Sequence, residues 1–212
     1  MGIFGDRSYA QHGEDFFLMN LMDLLKIEKP SWLEFGSHHP EIDSNTKLFY
    51  ERGFHGVNVE ANPSLFQAFL ERRPKDVNLN VGVGPRADIM PFYMVEENSG
   101  LNSFCKEEVE RSGRSITKII ELPVVTPQAI LEECCEGRWP DILLTDIEGL
   151  DHDVLESCQF EKGNRPKVIC SEIRPWHSFK TKDLMAAKGY TTLCRLTANL
   201  IFVSSELCSQ VV

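Results

Sequence analysis

No apolar run in these 212 residues approaches the roughly 20 positions that a bilayer-crossing helix needs, so no segment reads as a membrane-spanning helix. The N-terminal segment MGIFGDRS lacks an apolar stretch of signal type, and Asp6 stands where a myristoylation signal prefers a hydroxyl residue. Positive charge is also scarce. With 22 Lys and Arg against 32 Asp and Glu, the formal charge is −10, which argues against a surface built to hold phosphate backbones or anionic lipid. Neither nucleic acid nor membrane is therefore expected as a partner. The cluster Arg72, Arg73 and Lys75 reads as the solvated end of a helix. The seven cysteines form no CxxC pair and no disulfide framework, so they read as reduced thiols, and a reducing cytoplasm is the expected location. Cys170 and Cys194 fall in apolar runs, where free cysteine behaves as a small core residue. No two histidines show zinc-ligand spacing. Also missing is any GxGxxG loop, without which the pyrophosphate of a dinucleotide lacks its close-approach turn. Internal repeats, low-complexity tracts and composition-based linkers are absent, so residues 1–212 are expected to form one domain, with residues 1–28 as a helical flank and 29–212 as the core.

What is present is an alternation of short β-rich runs with amphipathic helical stretches, the signature of an α/β fold with a doubly wound sheet. The predicted strands are Trp32 to Phe35, Gly56 to Glu60, Asn78 to Val83, Asp141 to Asp146 and Lys167 to Glu172. Helices are predicted over Ser44 to Arg52 behind a serine cap, Pro63 to Arg72 behind a first-turn proline, and Thr126 to Cys135 behind a Thr-Pro start. Asp151 to Cys158 and Thr181 to Lys188 complete that set, and Asp15 to Leu25 forms an apolar helix ahead of the first strand. Tyr190 to Leu193 and Leu200 to Ser204 read as a closing antiparallel hairpin, and Asn98 to Arg114 as a mobile loop near the site.

In such a sheet, ligands bind beyond the carboxyl ends of the strands where the strand order reverses. Four of those ends are acidic here: Glu34 with Gly36, Glu60, Asp146 with Glu148, and Glu172. A carboxylate at the place of Glu60 can accept both hydroxyls of an adenosine ribose. Arg174, Trp176 and His177 follow the last of these strands, where an aromatic ring and a guanidinium would wall an acceptor pocket.

The runs QHGEDFFL, LEFGSHHPEIDSNTKLFYERGFHGVNVEANPSLFQAF and LLTDIEGLDHDVL, in that order from about Tyr9 to Glu172, resemble the FkbM family of S-adenosylmethionine-dependent methyltransferases. The resemblance implies a Rossmann-like class I methyltransferase fold, whose mostly parallel sheet takes in the C-terminal antiparallel hairpin. It implies that Glu34, Gly36 and Ser37 line the methionine part of the cofactor and that Ser44 and Asn45 offer donors to its carboxylate. Glu60 would hold the ribose; Ala61, Asn62, Gly82 and Val83 would border the adenine; Gln11 and Glu14 would close over the amino-acid end. The chain departs from the family pattern in two places: His38 and His39 replace small residues after the glycine, and Ala61 replaces a proline. Both histidines thereby become candidates to face the acceptor, together with Trp176 and His177. Asp146, Glu148 and Glu172 are the expected catalytic carboxylates, taking a hydroxyl proton from a small-molecule or glycan-like acceptor. Asp146 with Glu172 is also a candidate Mg2+ pair. A nucleotide-linked dehydrogenase and a non-catalytic module with an altered SHHP turn are the alternatives. The compact chain fits one domain of a larger glycan-modifying protein as well as a free-standing enzyme. Replacing Glu60 with Ala should weaken cofactor binding by about 1–3 kcal/mol, measured by titration calorimetry.

Overall fold

The computed structural model describes residues 7–211; the stretch Met1 to Asp6, read above for its lack of a signal, and Val212 lie outside the described residues. The chain runs α1 (Glu14–Leu24), β1 (Trp32–Phe35), α2 (Lys47–Glu51), β2 (Val57–Val59), α3 (Pro63–Arg72), β3 (Val77–Leu79), β4 (Gly82–Val83) and β5 (Asp88–Met94). It continues through α4 (Lys106–Arg111), β6 (Lys118–Val125), α5 (Pro127–Cys134), β7 (Ile142–Thr145), α6 (Asp151–Ser157), β8 (Val168–Glu172), α7 (Ser178–Ala187), β9 (Tyr190–Leu196) and β10 (Asn199–Ser204).

Seven strands make the central sheet in the order β3-β2-β1-β7-β8-β10-β9. The first five are parallel, and β10 enters antiparallel between β8 and β9. This is the Rossmann-like α/β arrangement with its C-terminal antiparallel hairpin. The residues of β1 and β7 are buried throughout, as the inner strands of a parallel sheet covered on both faces must be. Alternate residues feed two cores. Leu33, Phe35, Leu143 and Ile169 meet α5 and α6 through Ile130, Leu131, Val154 and Leu155. On the other face Trp32, Leu144, Val168 and Ile201 meet Leu18 and Met22 of α1 and Leu48 and Phe49 of α2. Burying Leu18 and Met22 fully contributes about 1.5–3 kcal/mol each, which is what fastens the N-terminal helix to the sheet. Among the described residues no helix is long and apolar enough to cross a membrane.

Three sequence expectations change. Asn78 to Val83 is not one strand: Asn80 turns its amide to donate to the carbonyls of Glu60 (2.7 Å) and Ala61 (3.0 Å), which ends β3 and sends β4 into a second sheet. That sheet, in the order β4-β6-β5, uses Asp88–Met94 and Lys118–Val125, to which the sequence reading assigns no element. The segment read as a mobile loop contains α4, held by Val109, which is 1% exposed, and by the Lys106–Glu110 and Arg111–Glu108 pairs along the helix.

The third change concerns Arg73, which is not solvated but fully buried. Its Nε donates to Asp76 (2.8 Å), Nη1 to the Pro40 carbonyl (3.3 Å) and Nη2 to Thr46 Oγ1 (3.2 Å). Asp76 also accepts from Asn58 Nδ2 (3.0 Å), and Asn58 accepts from Trp32 Nε1 (3.0 Å). Thr46 passes the chain on by donating to Glu34 (2.9 Å). A charge can sit here only because each of its groups has a partner. Arg73→Ala strands the Asp76 carboxylate and should cost about 3–5 kcal/mol in urea unfolding.

Candidate active site

The strand order reverses at β1, with β2 on one side and β7 on the other, and a cavity of about 420 Å³ opens beyond the carboxyl ends of these strands. That lies within the ~300–1,000 Å³ typical of small-molecule sites. Gly36 follows β1 with φ +78°, and a Cβ there would stand 1.8 Å from the Asp146 carbonyl oxygen. Only glycine lets the ends of β1 and β7 approach so closely. The amides of Gly36 and Ser37 both donate to the Val59 carbonyl (2.9 and 3.1 Å), Ser37 Oγ accepts from the Val59 amide (3.1 Å), and the Asp146 amide donates to the Phe35 carbonyl (2.9 Å), so the three strand ends are tied together.

One wall of the cavity carries Glu34, Gly36, Ser37, Asn45, Glu60, Ala61, Asn62, Gly82 and Val83, and Gln11 and Glu14 reach it from the N-terminal segment. Glu60 accepts the Asn62 amide on one oxygen and the His38 amide on the other, each at 2.7 Å, which fixes its carboxylate plane. Burial pushes the carboxyl up to about 7 against the pull of those two amides. Glu34 is raised to about 7 by burial as well, opposed by Thr46, Arg73 and Asn45. Buried Glu14 accepts from the His12 amide and from Asn199 Nδ2, both at 2.9 Å.

Asp146, Glu148 and Glu172 converge at the other wall, with one oxygen of each within 4.8 Å of the others. Asp146 is accessible to solvent, but it lines the cavity rather than the outer surface. Its carboxyl is held well above the usual range, first by removal from bulk water and then by Glu172 and Glu148. Glu148 is raised to about 7 by burial and by Glu172, opposed by Arg174. Arg174 pairs with Glu148, with Glu172 (3.0 Å) and with Glu108 of α4 (3.3 Å).

The loop bearing these groups is folded by Asp151, whose carboxylate accepts the amides of Ile147 (3.2 Å) and Gly149 (3.4 Å). Glu148 is held at φ +52°, a conformation that costs a residue with a Cβ of order 1 kcal/mol. Ser103 Oγ supports it by donating to its carbonyl (2.7 Å). A Cβ on Gly149 would strike Glu108 Cγ at 2.5 Å, so the loop also needs its glycine.

Four predicted site residues lie elsewhere. Ser44 Oγ accepts the Lys47 amide (3.2 Å) and caps the turn into α2. His39 folds back, its Nδ1 accepting the amides of Glu41 and Ile42 (3.1 Å each), so that only His38 of the pair lines the cavity. Trp176 is 55% exposed beneath the Arg111 guanidinium (4.8 Å), and His177 packs on His152 (ring centres 5.6 Å apart). Neither lines the cavity, because the chain turns outward after Arg174 into a short 3-10 turn. The cavity also takes in Asp43, Phe92 and Asn199, which sequence reasoning missed, and Ser99 to Phe104 from the segment it reads as a loop near the site. Asn199 had a findable signal, since it begins the hairpin strand that pairs with β8 opposite Glu172.

Residues 34–197 match the family model described as the methyltransferase FkbM domain. The chain belongs to this family of methyltransferases. Among solved structures it is similar to a candidate RNA methyltransferase from Pyrococcus horikoshii, at 10% identity and a TM-score of 0.49, covering 96% of this chain and 90% of that one. It is also similar to precorrin-6y C5,15-methyltransferase from Geobacter metallireducens GS-15, at 11% identity and a TM-score of 0.40, covering 88% and 85%. Both likenesses are remote, and membership of the family rests on the sequence match. No curated protein sequence matches the chain.

Glu34, Glu60 and Glu148 keep their protons to about pH 7 in the fold but release them near 4.5 when free of it. Their contribution favours folding fully below 4.5 and is lost as pH rises towards 7 and beyond. The urea midpoint of the ligand-free protein should therefore fall between pH 5 and pH 8, and Glu148→Gln should flatten that fall.

Proposed function

We propose that the chain is an S-adenosylmethionine-dependent O-methyltransferase acting on a hydroxyl of a sugar or glycan-like acceptor. The observation that carries this reading is the cavity that places Glu60 on one wall and the Asp146, Glu148 and Glu172 carboxylates on the other, in a chain of this family. The fit to the cofactor is chemical. Glu60 is held rigid by two amides and keeps lone pairs for a ribose diol. Gly36 lets the Asp146 carbonyl close on the end of β1, which sets the strand ends that line the cavity. S-adenosylmethionine bound there supplies an electrophilic methyl group on a sulfonium.

The remaining work falls to the chain itself. A sugar hydroxyl is a weak acid, so a base must take its proton as the new bond forms. Asp146 suits this role, because a carboxyl held well above its ordinary range is a stronger base once ionised. Arg174, by pairing with Glu148 and Glu172, fixes those carboxylates so that they orient the acceptor. Phe92 and Phe104 lie against the cavity and give it an apolar surface beside the carboxylates.

The same three carboxylates favour a second reading of the cluster, in which Asp146 and Glu172 hold a divalent cation that lowers the hydroxyl pKa. The test is titration calorimetry with S-adenosylmethionine and with NAD, each with Mg2+ and with EDTA. Binding of S-adenosylmethionine alone is expected; its failure to bind a folded sample overturns the reading, and binding of NAD instead revives the dehydrogenase. Asp146→Asn should lower methyl transfer at saturating cofactor by about 10²–10⁴-fold. An acceptor screen that turns over only non-carbohydrates would refute the sugar half.

A further inference from the structure

In mildly alkaline solution, where carboxyl groups ionise, the charge balance of the cavity is lopsided. Seven of its lining residues are Asp or Glu, among them Asp43, Asp146, Glu148 and Glu172, against a single arginine, Arg174, and no lysine. Arg174 does not offset this for a ligand, because its guanidinium is taken up by Glu148, Glu172 and Glu108. Glu108 is itself paired with Arg111 outside the cavity lining. Asp43 and Asp146 are exposed to the solvent that fills the cavity, whereas Glu148 and Glu172 are half-buried and screened less than surface charges, so a ligand beside this group of carboxylates feels the excess most at low salt.

We infer that the cavity selects by charge, holding a cationic sulfonium cofactor more tightly than the neutral thioether left after transfer and admitting only acceptors that bring no negative charge to the transfer point. The inference rests on the function proposed above and deepens it. On transfer the carbon–sulfur bond breaks as the carbon–oxygen bond forms; sulfur keeps the electron pair and becomes neutral, and the hydroxyl proton passes to a carboxylate. The attraction that drew the cofactor in is thereby withdrawn from the product. A phosphorylated or carboxylated acceptor would have to bring its charge among carboxylates that already lack a free cation, and like charges at such distances discriminate strongly. Neutral glycosides and amino sugars meet no such penalty.

The experiment is titration calorimetry of the full chain with S-adenosylmethionine and with S-adenosylhomocysteine in mildly alkaline, metal-free buffer at low and high salt. The sulfonium form should bind about tenfold tighter at low salt, with a smaller ratio at high salt. Asp43→Asn should narrow the ratio by acting on the sulfonium form alone; Asp43 sits at φ +52°, a conformation that Asn adopts readily, so this variant keeps its fold. Equal affinities in the unaltered chain, or tighter binding of the thioether, overturn the inference, whereas binding of neither ligand defeats the cofactor assignment instead. For the acceptor half, the thioether-loaded protein is titrated with methylammonium and with inorganic phosphate. Phosphate should bind at least about 100-fold more weakly, and comparable affinities overturn this half.

Discussion

The buried ion pair of Arg73 and Asp76 is the constraint on which the rest of the architecture leans. One guanidinium joins the end of α3 to the loop carbonyl of Pro40, to Thr46 ahead of α2 and, through Asp76 and Asn58, to the indole of Trp32 in β1. Buried charge is expensive, and it persists where every donor and acceptor of the set is answered. Its last link, from Thr46 to Glu34, carries the network into the cavity wall. The edge of the sheet and the floor of the site are thus one hydrogen-bonded body, and the position of Glu34 is settled by a residue from another helix.

The site itself is a balance of unlike demands. Strand ends pulled together at Gly36 and Val59 bring the buried carboxyls of Glu34 and Glu60 to one cavity, and burial raises their proton affinity. Arg174 relieves part of the repulsion between Glu148 and Glu172, while Asp151 organises the loop from behind by answering the amides of Ile147 and Gly149. Function and stability pull against each other here, as crowding carboxylates costs folding energy that the two apolar cores supply.

Much of this was legible in the sequence. Apolar runs such as WLEF and DILLT declare inner parallel strands, and Thr126 does cap the helix it precedes, accepting the amide of Ala129. The acidic strand ends were legible too, because the topology of a doubly wound sheet fixes where they go. The small sheet was not: Pro91 and Pro123 interrupt its two long strands, and Ile89 and Ile119 face outward, which blurs any period-two pattern. Arg73 misled because one sequence position cannot reveal that Asp76, Thr46 and Pro40 will surround it. Trp176 and His177 misled because proximity to Arg174 along the chain says nothing of the outward turn that follows it.

The second sheet and α4 form an excursion between β3 and α5 that meets the rest of the site at a few points, chiefly Ser103 on the Glu148 carbonyl, Glu108 on Arg174 and Asn62 on the Glu97 carbonyl. The Glu34–Glu60 wall, by contrast, is welded to the strand ends and to the buried ionic network. A roof with so few attachments can change in length and composition while the wall beneath stays intact. On the function proposed above, a change of acceptor would then call for new residues in 88–125 and leave the cofactor half as it is.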